Sequence, residues 1–182
     1  MGFSISWIAI KNKNLNQVID ELKLMKSGET EEFPESDISG ADLPSGWCHI
    51  QFNNFDSPFI KNSVLSKLSE NTQVIFSQVE EHVMYSKACC WEKSRLLWSS
   101  EHDAQENLEH LLTKGNVPDF YNDIVESYRN MQQGEFHVDY YFEIPLALSE
   151  KVTGYKHDAS HDDIEYYVLQ SINIRKPWWR IW

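Results

Sequence analysis

Residues 72–102, TQVIFSQVEEHVMYSKACCWEKSRLLWSSEH, decide the fold class. Val, Ile, Phe, Tyr, Trp and Cys crowd the segment, and only short polar interruptions break it. It reads as a strand followed by a hairpin of two more, turning at Glu92, Lys93 and Ser94. Connections this short join antiparallel neighbours, because parallel strands need a crossover of a dozen or more residues.

Towards the N-terminus, FSISWIAI (3–10) has the β-branched and aromatic content of a strand. Asn14 can cap a helix in which Leu15, Val18, Ile19 and Leu22 form one apolar stripe, with Gly28 beyond its exit. ETEEFPESDISGADLPSG (29–46) is acidic and holds two Pro and two Gly, which predicts a long loop. WCHIQFN (47–53) reads as another strand, and 58–70 as a helix with Val64, Leu65 and Leu68 inward.

Towards the C-terminus, 106–114 is ambiguous between strand and helix. Phe120, Ile124, Tyr128 and Met131 fall at helical spacing and predict a helix over 119–133. Pro145 opens a short helix through Leu146, Leu148 and Val152 that Gly154 closes. The tail from Ile164 holds a strand or helix and then a Trp-rich end. Neither repeats nor linkers divide the chain. The expectation is one α+β domain over 1–182: a mostly antiparallel sheet of five or six strands with three or four helices packed against it.

Sixteen basic residues against 28 acidic ones give a net charge of −12. Such a field repels phosphate backbones and anionic lipid and accelerates encounter with basic partners. Direct binding to nucleic acid or membrane is therefore not expected. No apolar run approaches the roughly 20 residues of a membrane helix, and the N-terminus lacks a secretory pattern, so the reading is a soluble, cytoplasmic protein. Gly2 and Ser6 satisfy a loose myristoylation pattern, for which the start of a strand is the plainer account. Cys48, Cys89 and Cys90 are odd in number and contain no Cys-x-x-Cys. Cys89 and Cys90, adjacent on a strand, point to opposite faces and are expected to be buried free thiols.

Six of the seven histidines have an Asp or Glu within two positions. Glu81-His82 and Glu101-His102-Asp103 stand on the arms flanking the hairpin, and HDASHDD (157–163) brings His157 and His161. A turn centred on Lys93 puts His82 and His102 on one face, within reach of a bridging metal; a two-residue Lys93-Ser94 turn puts them on opposite faces. His82, His102, His157 and His161 are thus candidate metal ligands for a small metal-assisted hydrolase. The alternative is solvated carboxylate–imidazole pairs with no cofactor, and no His-Glu-x-x-His, nucleophile elbow or phosphate-cradling glycine loop argues otherwise.

An acidic surface rich in Trp and Tyr suits docking on a basic partner: charge speeds encounter and desolvated aromatics hold the complex. Candidate partner-binding residues are Glu29, Glu31, Glu32, Glu35 and Asp37, with Trp178, Trp179 and Trp182 as aromatic anchors. MGFSISWIAIKNK, EFPESDISGADLPSGW, VEEHVMYS, LWSSEHD, DYYFEIP and VTGYKHD together resemble a family of small acidic bacterial proteins without an assigned activity, over residues 1–158. In size and charge the chain is also similar to the immunity proteins of bacterial contact-dependent growth inhibition systems. That likeness implies a non-enzymatic binder that neutralises a basic toxin domain, possible targets including nucleases. It transfers no residue roles.

Overall fold

The structure, a computed structural model, describes residues 2–134, 137–161 and 163–172. Nine strands form one antiparallel sheet: β1 (Ser4–Lys11), β2 (Leu24–Glu31), β3 (Ile38–Asp42), β4 (Trp47–Phe52), β5 (Gln73–Glu80), β6 (Tyr85–Glu92), β7 (Arg95–Asp103), β8 (Leu112–Gly115) and β9 (Tyr166–Ser171). They lie in the order β2-β9-β3-β4-β1-β5-β6-β7-β8. Four helices accompany them: α1 (Leu15–Leu22), α2 (Asn62–Leu68), α3 (Tyr121–Gln132) and α4 (Glu143–Thr153). None of the described helices is long and apolar enough to cross a membrane.

The α+β class and antiparallel sheet agree with expectation, but nine strands replace five or six. The supposed loop 29–46 contains the end of β2 and all of β3, and β8 is added at the far edge. β3 was hidden because its buried residues are only Ser39, Gly40 and Ala41, and β2 and β8 because they lie at the sheet's edges. β2 is an edge strand, largely exposed, so it carries no apolar alternation, and β8 is exposed along its whole length.

Helices cover both faces of the sheet, which explains why the central strands β1 and β4 are buried nearly throughout. On one face α1 and α2 pack on Ile8, Ile10, Cys48, Ile50, Phe52 and Phe76. On the other, α3, α4 and the segment after α4 enclose Trp7, Ala9, His49, Ile75, Cys90 and Trp98. Cys89 and Cys90 fall on opposite faces, as alternation requires.

Asn14 caps α1 through a capping box with Gln17. The helix exits at Lys23 in the left-handed region, and Gly28 lies inside β2, where pairing with β9 shifts register. The buried side chains of α3 are Tyr121, Val125 and Gln132; Phe120, Ile124 and Tyr128 of the expected stripe pack half-buried beside them on the core, and Met131 is exposed. Helix α4 begins two residues before Pro145 and ends at Gly154, left-handed as expected of a closing glycine.

The β6–β7 turn is the two-residue Lys93-Ser94, yet neither simple register survives along the hairpin. Glu92 faces Arg95 and Trp91 faces Leu96, but Cys90 faces Trp98 and Ser86 faces His102. Leu97 is the extra residue of a bulge. Gly115 accommodates it: a Cβ there would lie 2.0 Å from the Leu97 carbonyl oxygen.

Candidate partner-binding surface

Strand β2 is the sheet's outermost strand, and beyond Glu31 the chain turns through 32–37 into β3. Glu31 is the internal clasp of this turn. Its carboxylate accepts from the Ser36 amide at 3.2 Å, from Ser36 Oγ at 2.8 Å and from Ser39 Oγ. From β4, Gln51 Nε2 donates to the Pro34 carbonyl at 3.1 Å. Asn53 Nδ2 donates to the carbonyls of Pro34 at 3.2 Å and Ser36 at 2.7 Å. The turn is therefore built, and long only in sequence.

On that frame Glu29, Glu32, Glu35 and Asp37 are exposed, and Phe33 among them is 49% exposed. No Lys or Arg occurs between Lys26 and Lys61, a stretch with seven carboxylates. Lys26 is turned onto the ring of Tyr167, 3.7 Å from its centroid. Four of the five predicted acidic residues are thus exposed on or beside a turn that also exposes Phe33. Glu31 faces inward and is half-buried. Trp178, Trp179 and Trp182 lie outside the described residues.

The histidine clusters separate. His82 is not on a hairpin arm; it sits exposed in the β5–β6 turn with Nδ1 2.8 Å from Glu80 Oε1. Ser4 and His82 hold the Glu80 carboxyl below its ordinary range. His102 is fully buried between Asp139 Oδ2, at 2.9 Å, and the His110 carbonyl oxygen, at 2.7 Å. His157 is nearly buried, 3.8 Å from Glu81 and edge-on to Phe3, and burial lowers its pKa. His161 donates from Nε2 to the Lys156 carbonyl and stacks on Tyr155. The stretch 157–161 is not helical.

Adjacent carboxylates, Glu80 and Glu81, bring His82 and His157 to neighbouring positions, while His102 and His161 are held elsewhere. Among the described residues no group of three or more His, Cys, Asp or Glu can hold a metal ion. A cleft of about 860 Å³ does open beside Glu81 and His82, lined also by Tyr128, Asp139, Glu143 and Lys156. Lys156 forms ion pairs there, 3.0 Å from Glu143 and 3.1 Å from Asp158. Burial pushes the thiols of Cys89 and Cys90 up to about 12 and that of Cys48 higher still, so none supplies a thiolate nucleophile near neutrality.

Sequence reading missed His49, fully buried against Trp7, Tyr155 and Tyr166. One signal for it existed: it is the histidine without a neighbouring acid, set in an apolar strand. Comparisons of the chain with known protein families, with curated proteins and with solved structures find no match.

Proposed function

We propose that this protein is an immunity-type binding protein that neutralises a basic toxin domain by direct contact, with the β2–β3 turn as its acidic docking arm. The observation that carries the reading is Phe33, half-exposed in a stretch, 29–37, with four exposed carboxylates, on a turn fixed by hydrogen bonds. An aromatic anchor accompanied by charge combines slow dissociation with fast, steered association. The fixed turn lowers the ordering cost of binding. A nuclease domain, whose own surface must attract phosphate, is the kind of basic target that four carboxylates would engage.

The test is to look beside the gene for this protein for one encoding a basic toxin domain, and to measure the kinetics of binding to that domain. The triple change Glu29→Lys, Glu32→Lys, Glu35→Lys is expected to slow association at least tenfold in low salt and to flatten its salt dependence. Phe33→Ala is expected to accelerate dissociation with association little changed. Binding whose rates ignore both variants, or no binding to that domain, overturns the proposal.

A further inference from the structure

His49 on β4, Trp7 on β1 and Tyr166 on β9 face the same side of the sheet, each no more than 1% exposed. Tyr155 closes over them. Its ring lies 3.8 Å from that of His49, and on its far side His161 stacks at 4.8 Å with planes inclined by 17°. Two rings from the segment after α4, His161 over Tyr155, therefore seal a box whose floor is the sheet. The HDASHDD segment supplies the outer ring of that seal.

Among the described residues six buried side-chain polar atoms have no hydrogen-bond partner in the protein. Four of them belong to this box: Trp7 Nε1, both nitrogens of His49 and the Tyr166 hydroxyl, which stands beside the Tyr155 hydroxyl without the geometry of a full hydrogen bond. The neighbouring Tyr155 hydroxyl already donates to Gln51 Oε1 at 2.9 Å. The Trp7 and Tyr166 rings pack around His49 at centroid separations of 5.5 and 6.3 Å, without a direct hydrogen bond to it. Buried polar groups in folded proteins are paired with protein or with ordered water, and an internal water makes about three hydrogen bonds. The chemistry is complementary to such a molecule. Indole offers a donor only, neutral imidazole one donor and one acceptor, and the phenol either.

We propose that the His49 box is a sealed solvent site. It binds at least one ordered water that accepts from Trp7 Nε1–H and donates to the bare nitrogen of His49, with the Tyr166 hydroxyl as third partner. Burial holds His49 neutral, which leaves it the acceptor this water requires.

Oxygen-17 magnetic relaxation dispersion counts long-lived internal waters in the intact protein. His49→Phe keeps a ring in place but removes both nitrogens, and is expected to lose the contribution of at least one water. Tyr166→Phe, the milder change, is expected to reduce it as well. In the wild type, the Trp7 indole proton should show direct cross-relaxation with water. Either result, with native circular dichroism, supports the site. An amplitude unchanged in folded His49→Phe overturns it. So does a nitrogen–nitrogen scalar coupling across a direct hydrogen bond between Trp7 and His49. If His49→Phe fails to fold, Tyr166→Phe and the wild-type Trp7 measurement decide.

Discussion

His102 Nε2 lies 2.9 Å from Asp139 Oδ2, and the other ring nitrogen lies 2.7 Å from a carbonyl oxygen, that of His110. A carbonyl and a carboxylate both accept. The ring must therefore present two N–H groups, or the carboxyl must keep the hydrogen between them. Asp139 Oδ1 also accepts from the Phe142 amide at 3.1 Å, at the entry to α4. The pair thus joins β7, the loop at His110 and the start of α4.

Asp139→Ala leaves a buried ring nitrogen and a helix entry without partners, and should cost about 3 kcal/mol or more. Asp139→Asn can still accept from Phe142 while its amide donates to a neutral His102. It should cost less than half as much. Urea unfolding at neutral pH checks both, and equal losses would show that the charge, rather than the hydrogen-bond pattern, holds this junction.

Glu31 and Glu32 are neighbours with opposite roles. Glu31→Gln weakens the clasp to Ser36 and Ser39 and should destabilise the protein by roughly 1–2 kcal/mol. Glu32→Gln, exposed, should stay within about 0.5 kcal/mol of wild type. The contrast is read by thermal or urea unfolding. A Glu31 variant as stable as the Glu32 variant would refute the structural role assigned to it. It follows that charge reversal on the arm must spare Glu31.

Elements with a packed face were legible: the stripe of α1 with its Asn14 cap, the apolar run of β5 and the β6–β7 hairpin all appear. What stayed hidden has little packed surface of its own. Strand β2 is recruited by hydrogen bonds to β9, far along the chain, and its sequence carries loop-like composition because its outer side is exposed. The position of His102 depended on the Leu97 bulge, which is set by Gly115 on a strand that sequence pattern did not identify. For the candidate site, composition found the acidic arm but could not separate Glu31 from the exposed carboxylates, since that distinction rests on Ser36 and Ser39 folding back.

The Lys93-Ser94 turn holds two non-glycine residues at φ 51° and 61°. Both belong to the left-handed region that Asn and Gly occupy with least strain. The double change Lys93→Asn, Ser94→Gly keeps the backbone bonds that tie Ser94 to Ser66 and Ser69. It should raise unfolding stability by about 1 kcal/mol. A loss of stability would mean that the native side chains contribute more than the strain they impose.

Three thiols raised by burial should be silent to alkylation. At pH 8 the folded protein is expected to react with iodoacetamide far more slowly than a free thiol, and in urea all three cysteines should react at ordinary rates. Mass spectrometry of timed samples reads this directly. Rapid labelling of Cys89 or Cys90 under native conditions would show that their strand opens locally.

His49 should also shape the acid limb of stability. Burial lowers its pKa from 6.5 to about 3 in the folded protein, with His161 adding to the shift. Between those values the unfolded chain binds a proton that the folded one does not. Its contribution is thus complete above about pH 6.5 and is lost as pH falls towards 3, at about 1.4 kcal/mol per pH unit. His157, also lowered by burial, acts in the same direction, and Glu80 does so only below its ordinary value of 4.5. His49→Phe isolates the His49 part, because the other groups remain. Measured by urea unfolding, wild type should lose about 2 kcal/mol more than His49→Phe between pH 7 and pH 5. Parallel pH profiles for the two proteins would mean that His49 titrates near its ordinary value in the folded state, which a sealed box does not permit.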